Sequence, residues 1–268
     1  MSGSSRRKNK RVANESKAHS DWGTRFPRRQ ALLTLISLVT LPALAWSVRP
    51  NREKRTMSKV FVNIALSLDG YMAPEGMLVE NWDRPEYKSW GAKWGKLTAW
   101  LFDQQYFREN LKLGSGGATG PVNDMLRKTK ERTGANIMGK RMFDAGERSW
   151  PEDAPFHTPV YVLTHEKREP WVREGGTTFY FINDGAERAL KLARESAGGR
   201  DIRIAGGAAV IQQYLNMGVI DELEIALVPV LFAGGRRLFD NLQEPVPQFR
   251  IDSVLASPKA THLRYVRE

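Results

Sequence analysis

Three short stretches carry residues whose types and spacing could do chemistry. The first is Ile204-Ala205-Gly206-Gly207-Ala208-Ala209-Val210-Ile211, where a strand-like run meets Gly-Gly and then a helix-forming segment. Free N–H groups at a helix start, together with the helix dipole, attract a phosphate, and glycine lets the backbone approach it closely. The full G-x-G-x-x-G pattern is absent, and a bare Gly-Gly equally serves a tight turn with no ligand. The second is Ile137-Met138-Gly139-Lys140-Arg141-Met142-Phe143, a strand end followed by two cations. Lys and Arg at such a mouth suit a phosphate or carboxylate, Arg as a bidentate fork, and solvated charges at a turn are the plainer alternative. Thr164-His165-Glu166-Lys167-Arg168 ends another strand in the same style. The third is Ser67-Leu68-Asp69-Gly70-Tyr71. Asp-Gly there either makes a turn and nothing more, or sets Asp69 at a ligand edge where it can bind substrate hydroxyls.

Open α/β sheets bind ligands at the carboxyl ends of their strands. Two cationic strand ends plus a Gly-Gly helix start therefore point to a dinucleotide more strongly than any one of them. Other chemistries lack their residues. Cysteine is absent, which removes disulfides, thiolate metal sites and a cysteine nucleophile. The four histidines, His19, His157, His165 and His262, have no ligand spacing, so no metal site is expected. Neither a G-x-S-x-G elbow nor a complete Walker lysine loop occurs. Trp82, Trp90, Trp94 and Trp100 could cap a flat ligand, but packing is their expected role.

The elements that must position these residues alternate from Met57 onward. Residues 59–68 (KVFVNIALSL) form a largely apolar run bounded by Asp69-Gly70 and are read as a strand. Residues 121–133 are expected to be a helix opened by proline and closed before Gly134. Residues 135–138, 159–163, 177–182 and 201–204 are expected strands. Helices are expected at 184–197, capped by Asp184, and from Gly206-Gly207 through Met217. Strands at 221–232, 248–255 and 260–266 follow, the last two as an antiparallel hairpin. The pattern predicts an α/β three-layer fold: a mostly parallel central sheet, helices on both faces and an antiparallel C-terminal edge.

Charge separates the chain into two parts. Of the 41 Lys+Arg and 30 Asp+Glu, residues 1–56 hold 13 and 3, leaving a nearly balanced 28 and 27 in residues 57–268. The larger part gives no electrostatic case for nucleic acid, and a small-molecule partner is expected. Its 212 residues suffice for one domain with a sizeable core. Residues 1–56 form a basic extension in which Arg28-Arg29 precede 18 uncharged residues (31–48) containing Ala43-Leu44-Ala45. That order fits an export signal of twin-arginine type, or a membrane anchor through residues 28–48. Translation starting at Met57 would instead leave a cytoplasmic domain.

Five segments in this order resemble the dihydrofolate-reductase-like superfamily, and within it the reductase domain of riboflavin biosynthesis, the C-terminal half of RibD. They are SLDGYMA (67–73), TGANIMGKRMFD (133–144), PVYVLTH (159–165), IRIAGGAAVIQQYL (202–215) and IDELEIALVPVLFAGGRRLF (220–239). The resemblance covers residues 60–268 and implies an NADPH-dependent reductase, as a homodimer. It implies that Gly139, Lys140, Arg141 and Met142 hold the adenosine-side phosphates. Thr164 and His165, with Lys167 or Arg168, would flank the 2′-phosphate. Gly206, Gly207, Ala208 and Ile211 would receive the pyrophosphate. Ala65 would lie against the nicotinamide, and Asn63 and Asp69 would face the substrate, Asp69 as the catalytic candidate. The expected reaction is hydride transfer to C1′ of the sugar of the riboflavin pyrimidine, in its imine or aldehyde form.

The alternatives are a dihydrofolate, pterin or other small-carbonyl reductase of the same fold, or a nucleotide-binding module without turnover. The zinc deaminase half of the riboflavin enzymes is missing. The pocket carboxylate of a folate enzyme would fall near Met125, and Asp124 is one residue off, about 100° around a helix.

Overall fold

The structure, a computed structural model, describes residues 58–268, and the export, anchor and alternative-start readings of residues 1–56 lie outside them. In chain order the strands are β1 (Val60–Ser67), β2 (Tyr71–Pro74), β3 (Thr133–Gly139), β4 (Pro159–Leu163), β5 (Trp171–Val172), β6 (Thr178–Ile182), β7 (Asp201–Gly206), β8 (Glu222–Val228), β9 (Gly235–Arg237), β10 (Phe249–Ala256) and β11 (Thr261–Arg267). The helices are α1 (Tyr87–Phe102), α2 (Gln105–Asn110), α3 (Pro121–Arg132), α4 (Lys140–Glu147), α5 (Ala186–Ser196) and α6 (Ala208–Asn216). Among the described residues no helix is long and apolar enough to cross a membrane.

Nine strands form one sheet in the order β10-β11-β8-β1-β7-β3-β4-β6-β5. The run β8-β1-β7-β3-β4-β6 is parallel, and β11, β10 and β5 are antiparallel to their neighbours. A parallel strand covered on both faces needs apolar residues at every position, and all seven residues of β3 are buried. Side chains alternate across the sheet. Val60, Val62, Ile137, Ile202 and Ile204 pack with α5 and α6 on one face. Met138, Val160 and Val162 pack with Phe143 of α4 on the other, where Leu97, Trp100 and Leu126 cover Ala226 and Val228. Helix α5 seats itself through Ala186, Ala189, Leu190 and Ala193, the i, i+3, i+4, i+7 stripe of an amphipathic helix. This is the three-layer dihydrofolate-reductase-like arrangement that the sequence predicts.

The differences are local and have physical causes. The helix expected from Asp184 begins at Ala186, because Gly185 takes the cap position with φ 105° and Asp184 only approaches Arg188, at 3.7 Å. The strand expected at 221–232 ends at Val228, because the next residues fold back onto Asp69. Strands β2 and β9 pair as a separate two-stranded ribbon that periodicity did not show. Gly134 lies just past the end of α3, as expected, and is also part of β3, which starts earlier than the expected 135. A Cβ there would stand 2.3 Å from the Ala197 carbonyl oxygen and 2.8 Å from its Cβ. Gly134→Ala is therefore expected to destabilise the fold by about 1–3 kcal/mol, the usual cost of overpacking. An unchanged denaturation midpoint would contradict that packing.

An ion network closes the amino end of the sheet. Glu222 is only 1% exposed and takes Lys59 Nζ at 2.6 Å, Arg132 Nη1 at 2.7 Å and Arg264 Nη2 at 2.9 Å. Arg132 also reaches Asp201 at 3.2 Å and Glu224 at 2.9 Å. Burial alone would push the Glu222 carboxyl up, but hydrogen bonds from Lys59, Arg132 and Arg264 outweigh it and hold it at about 2.

Candidate functional site

At the carboxyl edge the ends of β3, β4, β6 and β7 open into a cleft of about 570 Å³. Three helices start on it: α4 behind Gly139, α5 behind Gly185 and α6 behind Gly207. No side chain caps any of the three. Each start therefore presents backbone donors and a positive dipole end to the same space, which is a setting for phosphate. Glycine is needed for closeness as well: a Cβ on Gly139 would come within 2.9 Å of Val210 Cγ2, on the α6 side of the cleft. At Gly206, φ is 129°, a conformation that side-chain-bearing residues rarely adopt, and its peptide to Gly207 is cis.

Three cations line this cleft: Lys140, Arg141 and Arg236. Lys140 donates to Asp144 at 2.7 Å and reaches Glu166 at 3.3 Å. Burial works against its charge, but those two carboxylates raise its pKa overall. Arg141 has no ion pair among the described residues. Arg236 donates to the Met77 carbonyl. Burial, and then the neighbouring Arg141 charge, lower its pKa. Two like charges held together in a half-buried cleft are suited to an anion that bridges them. Thr164 and His165 complete the wall, and the Thr164 hydroxyl accepts the Glu166 N–H at 3.0 Å to fix the turn.

The structure thus gathers Gly139, Lys140, Arg141, Met142, Thr164, His165, Gly207 and Ala208 into one place, with Gly206 leading into it. Other expected residues stand elsewhere. Ile211 is fully buried in the core beneath α6, so its side chain cannot meet a pyrophosphate. Arg168 lies outside the cleft, paired with Glu147 at 2.6 Å and set over the rings of Phe143, Trp171 and Phe181. Lys167 is exposed and does not line the cleft either. Ala65 is half-buried and packs against the cluster of Trp100 and Leu126.

Asp69 does not open onto this cleft. Its carboxylate accepts the Ser67 hydroxyl at 2.5 Å, the Phe232 N–H at 3.1 Å and the Ala233 N–H at 2.8 Å. What burial it has raises its pKa, and these three donors more than offset that, leaving it lowered. A carboxylate so engaged is a clamp on residues 230–234 and is poorly disposed to donate a proton. Asp69→Asn should therefore loosen that loop, seen as faster amide exchange at Phe232 and Ala233. Unchanged exchange would show that the clamp does not matter.

Asn63 opens onto a second, smaller cavity of about 140 Å³ on the α1/α3 face, where its Nδ2 donates to Glu224 Oε2 at 2.9 Å. Met125 lines this cavity, while Asp124 is exposed on the outer side of α3. Sequence reasoning passed over Gly185 and Arg236. Their signals were a glycine just before an amphipathic stripe (Asp184-Gly185-Ala186) and an arginine pair after Gly234-Gly235.

Comparison with known proteins places this geometry. The family model of the RibD C-terminal domain matches residues 58–263. Two proteins of Bacillus subtilis (strain 168), both named as uncharacterized, are similar. YwjB is 31% identical over 126 residues, 45% of this chain and 70% of that protein. YyaP is 28% identical over 117 residues, 41% of this chain and 61% of that protein. A crystal structure from Shewanella sp. PV-4, whose name ties it to riboflavin biosynthesis, superposes with a TM-score of 0.53 at 22% identity, over 78% of this chain and 99% of that one. With a family match that runs through both the sheet and the cleft, the chain belongs to the RibD C-terminal domain family.

Proposed function

We propose that the protein is an NADPH-dependent reductase of the 5-amino-6-(5-phosphoribosylamino)uracil reductase type. The observation that carries the cofactor assignment is the convergence of three glycine-capped helix starts with Lys140, Arg141 and Arg236 on one cleft. A dinucleotide is a polyanion, and the size of the cleft lies within the usual range for a ligand of that class. When bound, such a cofactor supplies a hydride.

The chain's own contribution is to bind and orient. In this reading Lys140 and Arg141, in the first turn of α4, hold phosphate with Thr164 and His165 beside them, which favours NADPH over NADH. Gly207 and Ala208 offer amides to the pyrophosphate, and Arg236 approaches from the ribbon. The proton that accompanies reduction comes from water, because Asp69 is already committed to backbone donors. Family membership supports the choice of substrate. A folate or pterin substrate is less well served. Asp124 is exposed, and the carboxylate that does line the smaller cavity, Glu224, is held by Arg132, Asn63 and Thr129.

Titration of the full chain with NADPH and NADH, followed by tryptophan fluorescence, tests the assignment. Saturable binding is expected, about tenfold or more tighter for NADPH and weakened by salt, as for one charge-assisted phosphate contact. Binding of neither nucleotide would overturn the reading. Loss of NADPH absorbance on adding the phosphoribosylamino pyrimidine, and not on adding dihydrofolate, would support the substrate choice.

A further inference from the structure

One side chain in the cleft has the wrong sign for a polyanion. Among the described residues that line it, Glu166 is the only carboxylate. Its place follows from the sheet. Strand β4 is the parallel neighbour of β3, and the chain leaves β4 through Thr164 and His165 to reach Glu166, as it leaves β3 into Lys140 and Arg141. The Glu166 N–H donates to Thr164 Oγ1 at 3.0 Å, which keeps the residue at the mouth of the cleft. Its side chain is 63% exposed, and Oε2 lies 3.3 Å from Lys140 Nζ.

The fold does not need this carboxylate. Lys140 already has Asp144 at 2.7 Å, one turn along α4. An ion pair as exposed as that of Lys140 with Glu166 contributes little to stability. Its effect falls instead on what enters the cleft. An ionised carboxylate offers only acceptors, so it takes hydroxyl groups and repels phosphate. It also competes with any phosphate for Lys140. In dinucleotide-binding α/β folds an acidic side chain receives the ribose 2′-hydroxyl of NAD, and arginine accommodates the 2′-phosphate of NADP. This cleft holds both kinds at the ends of adjacent strands, Arg141 after β3 and Glu166 after β4.

We infer that Glu166 is a specificity-determining residue: its carboxylate accepts the ribose 2′-hydroxyl of NADH and opposes the 2′-phosphate of NADPH, holding the preference for NADPH below what Lys140 and Arg141 alone would give. That the ligand is a dinucleotide rests on the reductase reading. Specificity is a difference between two affinities, so a repulsive group sets it as much as an attractive one.

The test titrates the full chain, Glu166→Gln and Glu166→Asp with NADPH and with NADH, followed by tryptophan fluorescence. Glu166→Gln keeps the shape of the side chain and removes its charge. It should tighten NADPH about fivefold, the scale of one like-charge contact in a well-solvated place, and weaken NADH about twofold to fivefold, as for a charge-assisted hydrogen bond replaced by a neutral one. The ratio of the two affinities should thus move about tenfold or more toward NADPH. The gain for NADPH should shrink as salt is raised, which a change in packing would not do. Glu166→Asp keeps the charge and should stay closer to the parent than Glu166→Gln with both nucleotides. An unmoved ratio in Glu166→Gln, equal tightening of both nucleotides, or an Asp variant that matches the Gln variant would overturn the role of the charge and leave the dinucleotide reading in place. A parent chain that binds neither nucleotide would overturn both.

Discussion

Replacing Arg141 and Arg236 together by alanine is expected to lower NADPH affinity by about a hundredfold or more. A hydrogen bond from a charged donor contributes about 1.5–3 kcal/mol, so each arginine alone should account for about tenfold or more. The two effects should not simply add. Burial, and after it the charge of Arg141, lower the pKa of Arg236, so the two arginines stand close enough to repel. A bound polyanion relieves that repulsion, and either single substitution removes the relief together with its own contact. The two single losses should therefore sum to more than the double loss. Arg236→Ala carries a further mark, because its guanidinium also holds the Met77 carbonyl. The segment around Met77 should exchange its amides faster in that variant and not in Arg141→Ala. Titration of the four proteins at one salt concentration is the measurement. A double variant that binds NADPH within about threefold of the parent would remove the phosphate role from both arginines.

The second large effect concerns stability. Glu222→Gln keeps the shape of the side chain and removes the charge that three cations share. Breaking a buried ion network from one side costs about 3–5 kcal/mol, because the remaining charges lose their partner in a poorly solvated place. The pH dependence follows from the direction of the shift. The carboxyl sits at about 2 in the fold against an ordinary value of 4.5. Its contribution, about 3 kcal/mol at about 1.4 kcal/mol per unit, is fully present above pH 4.5 and fades as pH falls toward 2. Urea denaturation should therefore show parent and variant far apart at pH 7 and converging in acid. Curves that keep the same separation at low pH would mean that Glu222 is not the titrating group.

Most of the layer order was legible because buried parallel strands and amphipathic helices leave strong local patterns. Val60–Ser67, Pro159–Leu163 and the 3.6-residue stripe of Ala186, Ala189, Leu190 and Ala193 are of this kind. The ribbon of Tyr71–Pro74 with Gly235–Arg237 was not legible, because three or four residues are too few to show a period and their pairing spans most of the chain. The cleft followed the same rule. Gly139, Lys140, Arg141 and Gly207 announce themselves as strand-end and helix-start residues, whereas Arg236 joins them only through that long-range ribbon. The structural part played by Asp69 was not legible for a different reason. A turn aspartate at a strand end looks the same in sequence whether it meets a ligand or two backbone amides, and only the return of Phe232 and Ala233 separates the cases. Ile211 shows the limit of transfer by position: its place beside a helix start is as expected, while the helix turns its side chain into the core.

The network around Glu222 has a consequence for how this chain can change. It is anchored at the first residue of β8, whereas Arg141 stands two residues past the end of β3, so the parallel strands hold the main ionic brace and the cations of the cleft at opposite ends. Groups so separated, with no shared partner, contribute additively. Losses in recognition at one end therefore do not draw on cohesion at the other. Substitutions among the cations of the cleft are therefore expected to leave the brace around Glu222, and the stability it contributes, unchanged.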